Sequence, residues 1–229
     1  MLLPWILIVV AYLIGGIPVG LLVGRARGID LREVGSGNIG ASTALRALGP
    51  GVGTAVWIAD LLKGFLPAAW AGWFLLRQVQ ISDPFPYLAG IGLAAVVGHC
   101  FSPYLRLRGG RGVSTSLGAV LALDWRVGVL SFAVWLFVVA VTRYISLGSI
   151  TAIISVPVLM ALLPRDQAHA AAQGPYTLFG IWLAVLVIIR HLPNLRRLLS
   201  GTESKIGQTA AAPVAEGVPS GPESETEYR

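Results

Sequence analysis

Residues 35–40 read GSGNIG, and residues 108–112 read RGGRG. Glycines at Gly35, Gly37 and Gly40, and again at Gly109, Gly110 and Gly112, permit positive φ and let backbone N–H groups close on an anion. Ser36 and Asn38 add side-chain hydrogen bonds to the first loop, while Arg106, Arg108 and Arg111 give the second permanently charged, bidentate cations. The stretch ASTALRALG suits a helix whose positive end faces the same anion, with Arg46 about two turns along. The chemistry implied is work on a phosphate-bearing substrate. The plainer alternatives are a glycine-rich turn between membrane spans for the first loop, and a basic loop near acidic lipid headgroups for the second.

GSGNIG also has the glycine spacing of a dinucleotide fingerprint, but that motif needs a strand before it and a βαβ unit around it. An apolar run and the basic stretch GRARGIDLREV precede it here, so a nucleotide fold is not expected. Asp60 and Lys63 lie three residues apart on one helical face of WIADLLKG, where an isolated charge in hydrocarbon would be costly and pairing or a polar cavity is required. A structural ion pair and a catalytic role are both open.

RYISLGSITA sets Ser146 and Ser149 after Arg143, as helix caps, interhelical bonds or ligands. RHLPN carries Arg190, His191 and Asn194, with His191 and Asn194 on one face if a helix continues through Pro193. His99 competes with His191 for a polar role in the site, and His169 reads as an outer-loop residue. No H-x-x-x-H or C-x-x-C spacing occurs, so no metal site is expected; the single Cys100 excludes an internal disulfide.

The elements that hold these groups are apolar. With 229 residues, 55% of them hydrophobic and 12% charged, and a mean hydropathy of +0.74, the composition excludes an ordinary soluble domain and defines an all-α integral membrane protein. The opening run lacks a basic leader region and reads as a retained first helix. Apolar segments fall at about 2–23, 52–76, 86–105, 112–123, 127–142, 145–163 and 176–190.

Asp124, Trp125 and Arg126 interrupt 112–142, which is either one over-long helix or two with a turn between them. Charge decides the topology. Arg25, Arg27, Arg32 and Arg46, then Arg106, Arg108 and Arg111, then Arg143, then Arg190, Arg196, Arg197 and Lys205 share one side only if two helices lie between Arg111 and Arg143. The expectation is seven transmembrane helices with the N-terminus outside, the C-terminus cytoplasmic and the glycine-rich loops cytoplasmic. Only Arg77, Arg126 and Arg165 then face outward. Residues 1–200 form the membrane domain, and 201–229, rich in Gly, Pro, Ser, Ala and Glu, read as a disordered cytoplasmic tail.

The clusters LREVGSGNIGASTALRALG, DLLKG, GHCFSPYLRLRGGRGVSTSLG, RYISLGSI and RHLPNLRRLLSGTESKIG, in that order, resemble the bacterial membrane-embedded acyl-phosphate:glycerol-3-phosphate acyltransferase family, often called PlsY. The resemblance runs from residue 1 to about 207. It implies an enzyme of the bacterial cytoplasmic (inner) membrane that moves an acyl group from acyl phosphate to the 1-hydroxyl of glycerol 3-phosphate, releasing 1-acyl-glycerol 3-phosphate and phosphate. It further implies that the first glycine loop shapes a phosphate site, and that Arg46, Arg111, Ser149, His191 and Asn194 hold glycerol 3-phosphate.

Two departures stand out: the family commonly has GATN where this chain has GAST, and GGKG where it has Arg111. The second keeps the charge and favours anion binding over lysine-specific chemistry; the first puts any amide role at position 43 in doubt. Either His191 takes the hydroxyl proton or the donor's own phosphate does, with His191 positioning the acceptor; the second is favoured. Membrane lipid and an acyl-phosphate-producing enzyme are the expected neighbours, with no cofactor and no nucleic acid. The principal rival is a transporter of a phosphate-bearing anion, which would need anion loops reachable from both faces.

Overall fold

The structure, a computed structural model, describes residues 2–77, 79, 85–163 and 173–207. Nine α-helices occur among them: α1 (Leu3–Gly16), α2 (Val19–Ala26), α3 (Ala41–Leu48), α4 (Pro50–Arg77), α5 (Phe85–Cys100), α6 (Val113–Leu123), α7 (Trp125–Thr142), α8 (Ile145–Leu162) and α9 (Gln173–Leu199).

The first apolar run is broken rather than continuous. Pro18 lacks an N–H and pushes the preceding residue out of the helical region, and Ile17 adopts φ −58°, ψ 117°. The break leaves carbonyls for tertiary partners: Ser102 Oγ donates to the Gly16 carbonyl (2.6 Å) and Lys63 Nζ to that of Ile17 (2.8 Å).

Small residues set the helix spacing. A Cβ at Gly15 would lie 2.0 Å from the Ala95 carbonyl oxygen, and one at Gly98 2.0 Å from that of Tyr12, so α1 and α5 touch backbone to backbone. Gly64 against the Thr115 carbonyl and Gly118 against that of Leu61 do the same for α4 and α6. The main apolar core joins α5, α6, α8 and α9 through Val96, Val120, Ile153, Val156, Leu183 and Val187. A smaller one seats α3 on α4 through Ala44, Val56 and Leu31. Large apolar side chains such as Trp73, Phe137 and Leu162 face outward, as lipid contact requires.

Among the described residues, six helical segments are long and apolar enough to cross a membrane. The interruption at 124 is a turn between two helices: the Asp124 carboxylate caps α7 by accepting from the Arg126 backbone N–H (2.9 Å), and it also accepts from the Tyr176 hydroxyl (2.8 Å). The segment expected as a separate span at 112–123 is α6, an 11-residue helix. At 1.5 Å per residue it extends about 16 Å, roughly half of a bilayer core.

The expected tail also divides. Residues 201–207 are pinned: the Ile206 N–H donates to the Arg143 carbonyl (2.9 Å), Arg143 Nη2 donates to the Ile206 carbonyl (2.7 Å), and Lys205 lies over the Tyr144 ring. Residues 208–229, together with Arg165 and His169, lie outside the described residues.

Replacing Gly118 by Leu drives a side chain into the α4 backbone and should cost about 2 kcal/mol or more. Gly174→Ala, where no atom lies within 4 Å, serves as the control. Thermal melting in detergent reads both, and an unchanged Gly118→Leu melting temperature would refute the packing account.

Candidate active site

The first glycine loop leads into α3 from a turn of 3-10 helix at Leu31–Glu33. Gly35 (φ +56°) and Gly37 (φ +67°) occupy the left-handed region that the sequence spacing requires. Gly40 is the N-cap of α3 and has no side chain to cap the helix, so the first-turn N–H groups of Ala41 and Ser42 stay free of a side-chain acceptor. Asn38, Gly40, Ala41 and Ser42 line a cavity of about 340 Å³, which places the positive end of α3 at its wall.

The second loop is held by backbone. The N–H groups of Gly109 and Gly110 donate to the carbonyls of Cys100 (3.1 Å) and His99 (3.0 Å), and Arg190 returns two bonds, Nη2 to the Gly109 carbonyl (2.7 Å) and Nε to that of Gly110 (3.1 Å). Gly112 (φ +83°) is the N-cap of α6. So fixed, the loop carries Arg111 across to the first loop, where its Nη2 donates to Ser36 Oγ at 3.3 Å, 75 residues away in sequence. The two glycine motifs therefore meet, as their placement on one face implies.

Of the residues expected at the site, Asn38, Gly40, Arg111, Gly112, Ser149 and His191 line the cavity. Gly35, Ser36, Gly37, Gly109 and Gly110 belong to the two loops but do not line the cavity. His191, buried, bonds through Nδ1 to the Val187 carbonyl (2.8 Å). A carbonyl only accepts, so Nδ1 carries the proton and Nε2 is left as the acceptor. Ser149 Oγ donates back to the Ile145 carbonyl (2.8 Å), leaving its lone pairs for a ligand.

Arg46 and Asn194 do not line the cavity. Arg46 is half-buried with no hydrogen bond or ion pair among the described residues, and burial lowers its pKa. Arg111 is pushed down to about 10, by burial first and then by Arg197, Arg46 and Arg190, against the opposing pull of Glu203. Cations in that state gain from an anion.

Asn194, although it shares the buried face of His191 across Pro193 as expected, gives its Nδ2 to Glu203 Oε1 (2.7 Å), and its Oδ1 has no partner. Glu203 also accepts from Arg197 Nε (2.7 Å). Burial would raise its pKa, but hydrogen bonds from neighbouring side chains, Asn194 and Arg197 among them, hold it below the usual glutamate range. Glu203 was hidden in sequence within a tail of low complexity; its spacing nine residues after Asn194 carries no helical signal.

Asp60 and Lys63 form the ion pair at 2.8 Å, and Asp60 and His99 both reach the cavity wall. Trp57, Phe132 and Trp135 line the same cavity, Phe132 stacked on Trp135 with ring centroids 5.6 Å apart. An adjoining arm, a second cavity of about 40 Å³ between α4, α6, α7 and α8, shares these rings and is also lined by Val120, Ala152 and Val156. No group of three or more metal-ligating side chains occurs among the described residues.

Fold and site together define a helical, membrane-embedded protein with a cavity lined by a guanidinium, by polar groups and by aromatic rings. The family model for glycerol-3-phosphate acyltransferase matches residues 5–201. The glycerol-3-phosphate acyltransferase of Trichormus variabilis is 43% identical over 212 residues, covering 88% of this chain and 91% of its own. That of Thermus thermophilus is 42% identical over 208 residues, covering 91% and 97%. The crystal structure of PlsY (YgiH), an integral membrane glycerol 3-phosphate acyltransferase, superposes in its glycerol 3-phosphate form with a TM-score of 0.77 at 37% identity, over 89% of this chain and 96% of that one. Its lysophosphatidic acid form gives 0.75 at 35% identity.

The chain belongs to the glycerol-3-phosphate acyltransferase family, and its activity is acyl transfer to glycerol 3-phosphate.

Asn194→Asp sets a second carboxylate against Glu203 and should destabilise the fold by about 2 kcal/mol. Adding Glu203→Gln should recover most of that loss in a double-mutant melting cycle, and strictly additive losses would contradict the contact.

Proposed function

We propose that the acyl donor is acyl phosphate, that the acceptor is the 1-hydroxyl of glycerol 3-phosphate, and that the cavity holds both. The observation that carries the reading is the mixed lining of this cavity. Arg111, the α3 N-terminus and His191 suit phosphate and hydroxyl groups, while Trp57, Phe132, Trp135 and the apolar arm suit an acyl chain.

The hydroxyl oxygen attacks the acyl carbonyl, forming the ester C–O bond. The bond from the carbonyl carbon to the bridging oxygen then breaks, and phosphate departs. The departing phosphate takes the 1-hydroxyl proton, and His191 Nε2 accepts a hydrogen bond from the acceptor's 2-hydroxyl, which aims the attacking 1-hydroxyl. Phosphate is already a good leaving group, so no covalent enzyme intermediate is needed, in keeping with Cys100 being fully buried in the core. Ser36 and Asn38 orient the loops and phosphate oxygens, with Gly35, Gly37, Gly40, Gly109, Gly110 and Gly112 allowing the backbone to approach, and Arg46, Ser149 and Asn194 completing the acceptor's surroundings.

In this reading α6 is a seventh, shorter membrane-embedded helix, the N-terminus lies outside, and the glycine loops open to the cytoplasm of a bacterial inner membrane. An enzyme that makes acyl phosphate is the natural neighbour. Family membership does not favour an anion transporter.

Purified protein given palmitoyl phosphate and glycerol 3-phosphate should release phosphate in an acceptor-dependent way and should not use acyl-CoA; no such release would refute the donor assignment. Arg111→Ala and Arg46→Ala should raise acceptor KM by about tenfold or more, whereas Arg111→Lys should keep most activity. His191→Ala should act chiefly on acceptor KM. A fall of about 10² or more in kcat at saturating acceptor would make His191 the general base instead. Ala152→Phe, filling the arm, should shift preference towards shorter acyl chains; an unchanged chain-length profile would place the chain elsewhere.

A further inference from the structure

His99 lines the same cavity as His191 but is held by the opposite edge of its ring. Lys63 Nζ has three hydrogens and three neighbours in reach: Asp60 Oδ1 at 2.8 Å, the Ile17 carbonyl at 2.8 Å and His99 Nδ1 at 3.2 Å. An ammonium has no lone pair, so His99 Nδ1 must be the acceptor, and the neutral ring carries its proton on Nε2.

The ring that carries this proton lines the cavity. Among the described residues no hydrogen bond is made to Nε2. Gly110 packs against this edge of the ring: a Cβ there would lie 2.2 Å from Nε2, so only glycine leaves room for the N–H. Gly110 has ordinary negative φ, and close approach, not backbone conformation, explains glycine there. His99 thus meets the cavity beside Arg111 and Gly112.

We propose that His99 Nε2–H is a catalytic hydrogen-bond donor to the acyl carbonyl oxygen, stabilising the oxyanion of the tetrahedral stage. The assignment rests on the acyl-transfer reading above. The substrate phosphates have Arg111, Arg46 and the α3 N-terminus, whereas a carbonyl between the phosphate wall and the aromatic wall needs a neutral donor. The Lys63 charge behind Nδ1 polarises the ring towards donation, so the bond strengthens as the carbonyl oxygen gains charge. His99 keeps its proton throughout: it lends a hydrogen bond and no bond to hydrogen breaks.

The test compares His99→Leu, which removes the donor, with His99→Gln, whose amide restores an N–H near the ε position. His99→Leu should lose about 10²–10³ in kcat with acceptor KM changed less than about threefold, and His99→Gln should recover at least about tenfold of that loss. A folded His99→Leu with kcat within about threefold of the parent, or equal losses in both variants, would overturn the proposal. The 15N spectrum of histidine-labelled parent protein in micelles decides independently of any variant's folding. One ring should carry its proton on Nε2 and another on Nδ1, and an unreactive acyl phosphonate should shift the His99 Nε2 resonance. A His99 proton on Nδ1, or no Nε2 shift with the phosphonate bound, would refute it. Absence of acceptor-dependent phosphate release by the parent would instead strike the donor assignment and leave the proton's position readable.

Discussion

An ammonium group inside an apolar helical bundle must find a partner for each of its hydrogens, and Lys63 is the group around which this structure is arranged. The cost of leaving it unpaired in a low-dielectric interior is several kcal/mol. Its three partners come from three places in sequence: Asp60 one turn earlier, His99 at the end of α5, and the Ile17 carbonyl. The last exists only because Pro18 breaks the first helix. One proline, one carboxylate and one imidazole therefore fix where α1, α4 and α5 meet, and that junction lies directly beneath the second glycine loop, whose Gly109 and Gly110 bond to the carbonyls of Cys100 and His99.

Above this junction the site is built from backbone more than from side chains. Glycines at the α1–α5 and α4–α6 contacts bring helices close enough to exclude lipid from between them. Glycines in the two loops then let N–H groups and a helix N-terminus form the cationic wall. Arg190 is spent on carbonyls of the second loop, and Arg197 on Glu203. Arg111 and Arg46 have no carboxylate within ion-pair distance among the described residues, so the surplus positive charge is concentrated where a substrate anion would neutralise it.

Much of this was legible in sequence because the signals are local. Both glycine loops, the Asp60–Lys63 pair at i, i+3 and the helix break at Asp124 each follow from residues within a few positions of one another. The shared face of His191 and Asn194 needed only that α9 run through Pro193, which it does. Two features depend on tertiary contact that composition does not report. Residues 112–123 are apolar enough to suggest a span, yet α6 stops after 11 residues because Asp124 caps the next helix. Residues 201–207 look like polar tail, yet Arg143, Tyr144 and Asn194 hold them, and such long-range pairing leaves no periodic trace. Proton positions were out of reach for the same reason: a histidine's tautomer depends on what its nitrogens touch.

The tautomers give the cavity its polarity. His191 donates from Nδ1 to a carbonyl one helical turn back, which leaves a lone pair on Nε2; His99 accepts at Nδ1 from an ammonium, which leaves a proton on Nε2. The two rings are chemically identical residues with opposite hydrogen-bonding sense at the same atom, set by one neighbour each. Acyl transfer to a glycerol phosphate can use both senses at once: an acceptor that holds a neighbouring hydroxyl and so aims the attacking one, and a donor towards the carbonyl oxygen that gathers charge. Neutral rings meet that demand without adding charge to a wall already rich in guanidinium groups. Fixing each ring by a bond on its far side means neither must reorient as the reaction proceeds, and in a cavity lined by packed helices such fixed dipoles cost little further reorganisation.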